Sequence, residues 1–448
     1  EIMPSLVGSE MCIRDRYPAD ANFAPGTTFE HRRSLTSVQR ELRDIKGVTV
    51  LIYDQTCAAE KRRRRKRGLF PDPPKRAFIN DLVCEACGDC SVASTCVSVQ
   101  PKETEWGRKR QIAQSNCNKD FSCVNGFCPS FVTVHGGNVR KAEKPSGAAG
   151  DGDDLFAGLP MPDLPSSAEP FGILSTGIGG TGVVTISALL TTAAHIEGKA
   201  YSTIDQFGMA QKGGAVTSHV RIARHQSDIQ SARLSSGGAN LILGCDSLVS
   251  AGELALNAID PGHTHVLVNN HQAITGQFAL DPNLDFPSDD VEMRLTAEAG
   301  SGKTKFLNAT RLATTLLGDA IGGNLFMLGH AYQQGLIPVS AAAIEKAIEI
   351  NGVAVNMNKA AFLWGRRAAV DLEAVEAHAS PNQQPEPADD DLSALVDRRK
   401  LDLTAYQGRR LARRYAALVS EVQARAVSYT HLRAHETRHD LVCRLLLE

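Results

Sequence analysis

Aromatic side chains make up only 5% of this sequence, with two tryptophans, so any core must be built chiefly from Ala, Val, Ile and Leu. Charge of one sign is equally scarce: 48 Lys and Arg stand against 50 Asp and Glu, a formal net charge of −2. A chain so balanced has no global attraction to nucleic acid or to an anionic membrane. No uninterrupted apolar run reaches the ~18–20 residues that cross a bilayer. The first residues, Glu-Ile-Met-Pro, lack the basic and then apolar segments of an export signal. These absences point to a cytoplasmic protein and exclude a membrane span, a small secreted disulfide scaffold and a simple basic nucleic-acid binder. What is present is length: 448 residues suffice for about three domains of ~100–200 residues each.

Cysteine is distributed unevenly. Seven of the 11 cysteines fall between Cys84 and Cys128, and the others are Cys12, Cys57, Cys245 and Cys443. Dense local clustering without an export signal reads as metal or cluster ligation, not as a disulfide framework. Cys84-x2-Cys87-x2-Cys90 lets one tight loop offer three thiolates to the corners of a [4Fe–4S] cube, and the fourth iron takes a distant cysteine, here Cys128 of the Cys128-Pro129 pair. Gly88 permits close backbone approach. Arg108, Lys109 and Arg110 are candidates to offset the cluster's charge, and Phe121, Phe127 and Phe131 to shield it from water. Cys96, Cys117 and Cys123 remain for a second cluster, although Cys117-x5-Cys123-x4-Cys128 does not repeat the first spacing. Zinc is the alternative metal. Zinc sites pair two C-x2–4-C knuckles, and the triplet has no clean second knuckle, so iron–sulfur is favoured.

Composition shifts divide the chain. Residues 1–16 and 427–448 resemble translated library-adaptor sequence and are expected to be foreign to the fold, which sets aside the four-residue spacing of His431, His435 and His439. Residues 17–70 read as helix, strand, helix: Leu35, Val38, Leu42 and Ile45 at helical spacing, then an apolar strand at 48–53. The run KRRRRKR at 61–67 reads as a solvated helix end, with docking of an acidic partner the lesser reading. The cysteine segment occupies 71–140, and a Gly-, Ala-, Pro- and Asp-rich linker 141–170. Residues 171–375 alternate apolar runs (173–174, 216–222, 241–243, 266–268) with helical stretches, which predicts a mostly parallel sheet covered by helices. A second linker and a charged helical stretch fill 376–426.

The sequence Gly177-Ile178-Gly179-Gly180-Thr181-Gly182 satisfies G-x-G-x-x-G between a strand and a helix, and Asp205 ends the next strand, as the ribose-binding acid of a dinucleotide site would. Gly177, Gly179, Gly180, Gly182, Asp205 and Gln206 are thus candidate cofactor-binding residues. The glycines could equally serve tight strand–helix packing, or bring another anion or another domain to the helix N-terminus. A second glycine-rich stretch, 206–214, adds Gln211 and Lys212 on what reads as an exposed functional edge.

The stretch FINDLVCEACGDCSVASTCVSVQPKETEWGRKRQIAQSNCNKDFSCVNGFCPSFVTV (78–134) resembles the iron–sulfur segment of the long, fused indolepyruvate ferredoxin oxidoreductases. GIGGTGVVTISALL (177–190) and DQFGMAQKGGAVTSHVRI (205–222) resemble the gamma-type domain of the wider 2-oxoacid:ferredoxin oxidoreductase family, and VTVLIYDQTCAAEKRRRRKRG (48–68) the end of its thiamine diphosphate-binding domain. The resemblance spans roughly 17–426. It implies an α/β chain in three parts: a remnant of a thiamine-binding domain, a ferredoxin-like iron–sulfur segment and a doubly wound gamma-type domain. It implies an enzyme that oxidatively decarboxylates aryl 2-oxo acids on thiamine diphosphate. The acyl group then passes to coenzyme A, and electrons leave through iron–sulfur clusters to ferredoxin, in an assembly that is oligomeric when complete. The family's thiamine ligands have no counterpart here, so the chain reads as an internal fragment, inactive alone, with no catalytic residue to assign. Two other readings stand beside it: an NAD- or FAD-dependent iron–sulfur oxidoreductase using the 177–182 loop, and a zinc-bearing interaction module.

Overall fold

The computed structural model describes residues 3–8, 17–18, 20–54, 56–104, 106–137, 156, 158–208, 214–273, 277, 281, 283–379 and 392–425. The segment 427–448 and its histidines lie outside the described residues. From residue 3 to residue 137 the elements are β1 (Met3–Gly8), β2 (Thr28–His31), α1 (Leu35–Asp44), β3 (Thr49–Asp54), α2 (Ala58–Lys66), β4 (Lys75–Ile79), α3 (Asp89–Ser94), β5 (Val99–Thr104), β6 (Gly107–Ile112) and β7 (Phe131–His135). The chain divides into two compact units, one of Glu1–Ile79 with Asn116–Gly137 and one of Asn80–Ser115 with Asn138–Glu448.

In the first unit, β1 lies between β2 and β3 in an all-parallel sheet, Leu6 opposite both Phe29 and Ile52. This departs from the expectation for 1–16: the segment set aside as foreign supplies the middle strand, because two flanking strands offer it complementary backbone edges. Helix α1 buries Val38, as its apolar spacing requires. Strands β4 and β7 pair antiparallel across the whole cysteine segment. That pairing returns the chain to the first unit and assigns Cys117, Cys123 and Cys128 to it. Cys84, Cys87, Cys90 and Cys96 belong to the second unit, so the stretch read as one ferredoxin-like segment is shared between two bodies.

The second unit adds β8 (Phe171–Ile178), α4 (Val183–Ile196), β9 (Ala200–Phe207), β10 (Ala215–Ala223), β11 (Leu241–Gly244), α5 (Ser247–Ser250), α6 (Glu253–Leu256), β12 (His265–Asn269), α7 (Ser288–Ala299), β13 (Thr304–Leu307), α8 (Ala309–Leu317), α9 (Gly323–Gln333), α10 (Ala341–Asn351), α11 (Val355–Val370), α12 (Leu372–Ala379), α13 (Leu392–Gln407) and α14 (Arg409–Arg425). Its six-stranded sheet has the order β13-β12-β11-β8-β10-β9. Successive side chains of a strand face opposite sides, and the core follows that alternation. Ile173, Leu241, Leu243 and Leu267 pack with α4 and α8–α12, while Leu174, Ile242, Val266 and Val268 pack with residues 251–259 and α7. Helices thus cover both faces.

The expected mostly parallel sheet is corrected at one strand. β10 runs antiparallel to both β8 and β9, because the short link from Phe207 to Ala215 suffices for a hairpin and not for the crossover that parallel pairing demands. Among the described residues no helix is long and apolar enough to cross a membrane.

Candidate functional site

Two places concentrate chemistry. The first is the cysteine loop of the second unit. After a turn in which the Cys84 N–H donates to Asn80 O, the chain turns through left-handed backbone at Ala86 (φ 61°) and Gly88 (φ 85°) before entering α3. That path brings the Ala86 N–H to within 3.4 Å of Cys84 Sγ. Cys84 is buried, Cys90 half-buried in the first turn of α3 and Cys87 exposed. Burial pushes the Cys90 thiol up, opposed by the positive charge of Arg110, which is 2% exposed on β6. Of the three cations expected to balance charge here, Arg110 acts on Cys90. Arg108 is instead held by Glu103 and by Asp285 and Leu284 O.

In the first unit, the Lys119 N–H lies 3.4 Å from Cys117 Sγ, and Cys128 Sγ is 3.0 Å from Ser130 Oγ. The expected aromatic shield is corrected: Phe127 is 96% exposed, and the Phe121 ring lies 4.4 Å below the Lys75 ammonium. Thiols spaced two residues apart on a backbone that aims an N–H at sulfur are the donor set and the loop form an iron–sulfur cluster uses. Among the described residues no three His, Cys, Asp or Glu side chains are gathered to hold a metal ion.

The second place is the carboxyl edge of the sheet. From β8 the chain leads through α4 toward β9 on one side, and from β11 toward β12 on the other. The crevice between β8 and β11 is therefore a point where strand order reverses, where open α/β sheets place their ligands. A cavity of about 510 Å³ opens at this edge, lined by Ile178, Gln206, Phe207, Thr217, Asp246 and Leu248 among others. Asp246 lies two residues beyond the end of β11 and caps α5, accepting from the Val249 N–H at 2.9 Å. Its burial raises the carboxyl above the usual range.

The glycine loop frames this edge without lining the cavity, apart from Ile178. A Cβ on Gly177 would meet Val183 at 2.6 Å and Cys245 at 3.2 Å, so that glycine exists for strand–helix packing. The Gly179 N–H donates to Gly214 O at 2.8 Å, and Asn324 Nδ2 donates to Thr181 O at 3.1 Å. Gly180 and Gly182 hold positive φ, and a Cβ on Gly182 would meet nothing closer than 3.6 Å. Asp205 sits on β9 and accepts from Ser218 Oγ. Because β10 separates β9 from β8, Asp205 stands two strand spacings, about 10 Å, from the glycine loop's strand. In a dinucleotide-binding unit the acidic residue ends the neighbouring strand.

Of the sequence-expected residues, Gln206 reaches the cavity, Asp205 is tied to the sheet, and residues 209–213 lie outside the described ones. Asp246, Thr217 and Leu248 were not anticipated. The available signal was Asp246-Ser247 soon after the apolar run 241–243, with only Gly244 and Cys245 between, an N-cap placed at a strand's carboxyl end.

Residues 172–368 match the family model described as pyruvate ferredoxin/flavodoxin oxidoreductase. The chain is 27% identical over 206 residues to the indolepyruvate oxidoreductase subunit IorB of Pyrococcus horikoshii, covering 46% of this chain and 98% of that one. It is 26% identical over 204 residues to the IorB of Archaeoglobus fulgidus, covering 44% and 94%. Among solved structures it is similar to the pyruvate oxidoreductase subunit PORC of Thermotoga maritima, with 22% identity, a TM-score of 0.33, and coverage of 44% of this chain and 96% of that one. The second unit thus carries an α/β domain similar to the gamma-type subunits of such oxidoreductases. Residues 172–368 resemble the 2-oxoacid:ferredoxin oxidoreductase family, and within it the gamma-type or IorB subunit.

Proposed function

We propose that this chain is the electron-transfer and docking portion of a cytoplasmic, oligomeric enzyme that oxidatively decarboxylates aryl 2-oxo acids of the indolepyruvate kind. The acyl group goes to coenzyme A and the electrons to ferredoxin. The observation that carries the reading is the alignment of one segment of this chain with 94–98% of the length of relatives named as indolepyruvate oxidoreductase subunits. The same chain carries the Cys84, Cys87 and Cys90 loop. In the complete enzyme, thiamine diphosphate supplies the carbanion stabilisation that decarboxylation needs. A [4Fe–4S] cluster held by Cys84, Cys87 and Cys90 would supply one-electron transfer, and Cys117 and Cys123 would serve a second cluster. The loop at Gly177, Gly179, Gly180 and Gly182, with Gln206 beside it, faces coenzyme A or the backbone of a thiamine-binding domain. Glycine at 182, in left-handed backbone with Asn324 and Thr185 no closer than 3.6 Å to a Cβ built there, lets either approach the loop's backbone closely.

The test is made on protein purified without oxygen. It is expected to contain iron and acid-labile sulfide, to be reduced by dithionite, and then to pass its electrons to oxidised ferredoxin in a stopped-flow experiment. Stoichiometric zinc without sulfide, or no electron transfer to ferredoxin, sinks the reading. Given indolepyruvate, thiamine diphosphate, coenzyme A and an artificial acceptor, the chain by itself is expected to show no turnover. Turnover above background would mean that the chain itself holds thiamine diphosphate.

A further inference from the structure

The backbone reveals a repeat that the cysteine spacing conceals. In the loop beginning at Cys84, the residues two and four positions on, Ala86 and Gly88, have φ of 61° and 85°. In the loop beginning at Cys117, the corresponding residues, Lys119 and Phe121, have φ of 53° and 59°. In both, the N–H two residues on donates to the first cysteine's Sγ at 3.4 Å. In both, the residue four positions on is the N-cap of a helical turn, Asp89–Ser94 in one and Ser122–Val124 in the other. In both, the sixth residue on is a cysteine, Cys90 or Cys123, standing second in that turn. Three of the five non-glycine residues with positive φ among those described lie in these two loops. Such conformations are unfavourable for residues other than glycine and persist where the surroundings impose them. Around Cys117 they are imposed: Arg65 Nη1 donates to Asn118 O at 2.6 Å, and Lys119 Nζ pairs with both oxygens of Asp72.

Matching the two loops residue by residue puts Asp120 at the position of Cys87. We infer that Asp120 replaces the middle thiolate in a second cluster-binding loop, so that Cys117, Asp120 and Cys123 hold an iron–sulfur cluster of their own. This rests on the reading of the Cys84 loop as a cluster site and adds to it a ligand of a different kind. An aspartate reaches one atom further than a cysteine, and its oxygen is a hard donor that iron accepts but holds less firmly than thiolate. Like Cys87, Asp120 is exposed, and Ser122 Oγ donates to its Oδ2 at 3.1 Å. The iron bound to Asp120 is therefore the one the cluster gives up first.

The experiment uses the full chain, reconstituted anaerobically with iron and sulfide. Two [4Fe–4S] clusters require about eight iron and eight sulfide per chain. Ferricyanide should take one electron from the Asp120 cluster, which then releases one Fe2+ and leaves a [3Fe–4S] cluster visible by electron paramagnetic resonance. Asp120→Cys should keep all the iron and abolish that signal. Asp120→Ala should lose at least the iron that Asp120 holds, while the circular dichroism spectrum is unchanged. Cys84→Ser should lose the other cluster alone. If iron stays near four per chain, is lost with Cys84→Ser and is indifferent to Asp120→Ala, the Cys84 site stands and the Asp120 site is overturned. A [3Fe–4S] signal that survives Asp120→Cys overturns it as well. A chain that takes up only zinc overturns both.

Discussion

His330 shows how one side chain can report on the whole α/β domain. It is 6% exposed on α9, and burial lowers its pKa from 6.5 to about 4. The unfolded chain therefore binds a proton between about pH 6.5 and pH 4 that the folded chain refuses. Stability contributed by the neutral ring is complete above pH 6.5, falls as pH drops through this window, and levels off below about 4. The shift corresponds to on the order of 3 kcal/mol across the window. His330→Gln removes that titration, so a plot of Tm against pH should be flatter on its acid limb than for the parent chain. An unchanged slope would mean that other groups carry the acid sensitivity. The same scale explains which site residues could be read in advance. Cys84, Cys87 and Cys90 stand out as candidate ligands by spacing alone. Asp120 does not, because its role follows from left-handed backbone at Lys119 and Phe121, side chains that give no hint of such φ values.

At the scale of elements, α9 and α11 cross with their backbones in contact. A Cβ on Gly329 would lie 2.0 Å from Phe362 O, and one on Gly365 2.0 Å from Phe326 O. Neither carbonyl can yield without shifting a helix. Gly329→Ala should therefore cost about 3 kcal/mol and lower Tm by roughly 6–12 °C for a domain of this size. Gly302→Ala, with open space around it, should be neutral to within about 0.5 kcal/mol. The hairpin of β9 and β10 makes a second expectation. It separates Asp205 from the glycine loop, so calorimetric titration of the chain with NAD or NADP should release no binding heat. Micromolar binding abolished by Gly179→Val would restore the dinucleotide reading. The strands at 173–174, 216–222, 241–243 and 266–268 were legible because buried strands read as apolar runs. The direction of β10 was not, since direction depends on the length and path of a connection and not on the strand's own residues. The cavity was also hidden. Ile178, Gln206, Thr217 and Asp246 come from four strand ends that only the folded sheet brings together.

For the whole molecule, the division into two units makes separate demands on the chain. Because β1 pairs on both sides, with β2 and with β3, removing residues 1–16 leaves those strands without a common partner. Hydrogen exchange on such a deletion should show lost amide protection at Thr28–His31 and Thr49–Asp54, with β8 and β10–β12 as protected as before. Full protection of β2 and β3 after the deletion would restore 1–16 to the status of a passive extension. The foreign look of 1–16 in the sequence does not prevent its pairing, because pairing in a sheet uses backbone groups that every residue supplies.

The pairing of β4 with β7 has a consequence for how the molecule is made. During synthesis from the N-terminus, β4 emerges long before its partner, and everything from residue 80 to residue 130 must leave the ribosome before Phe131–His135 can join it. Non-local closure of this kind is slow compared with the local hairpin of β5 and β6, which completes within a few residues. The nascent chain thus spends an interval with β4's edge unsatisfied and several thiols already exposed to the cell. Metal delivery, or a chaperone that covers that edge, has its window of action there.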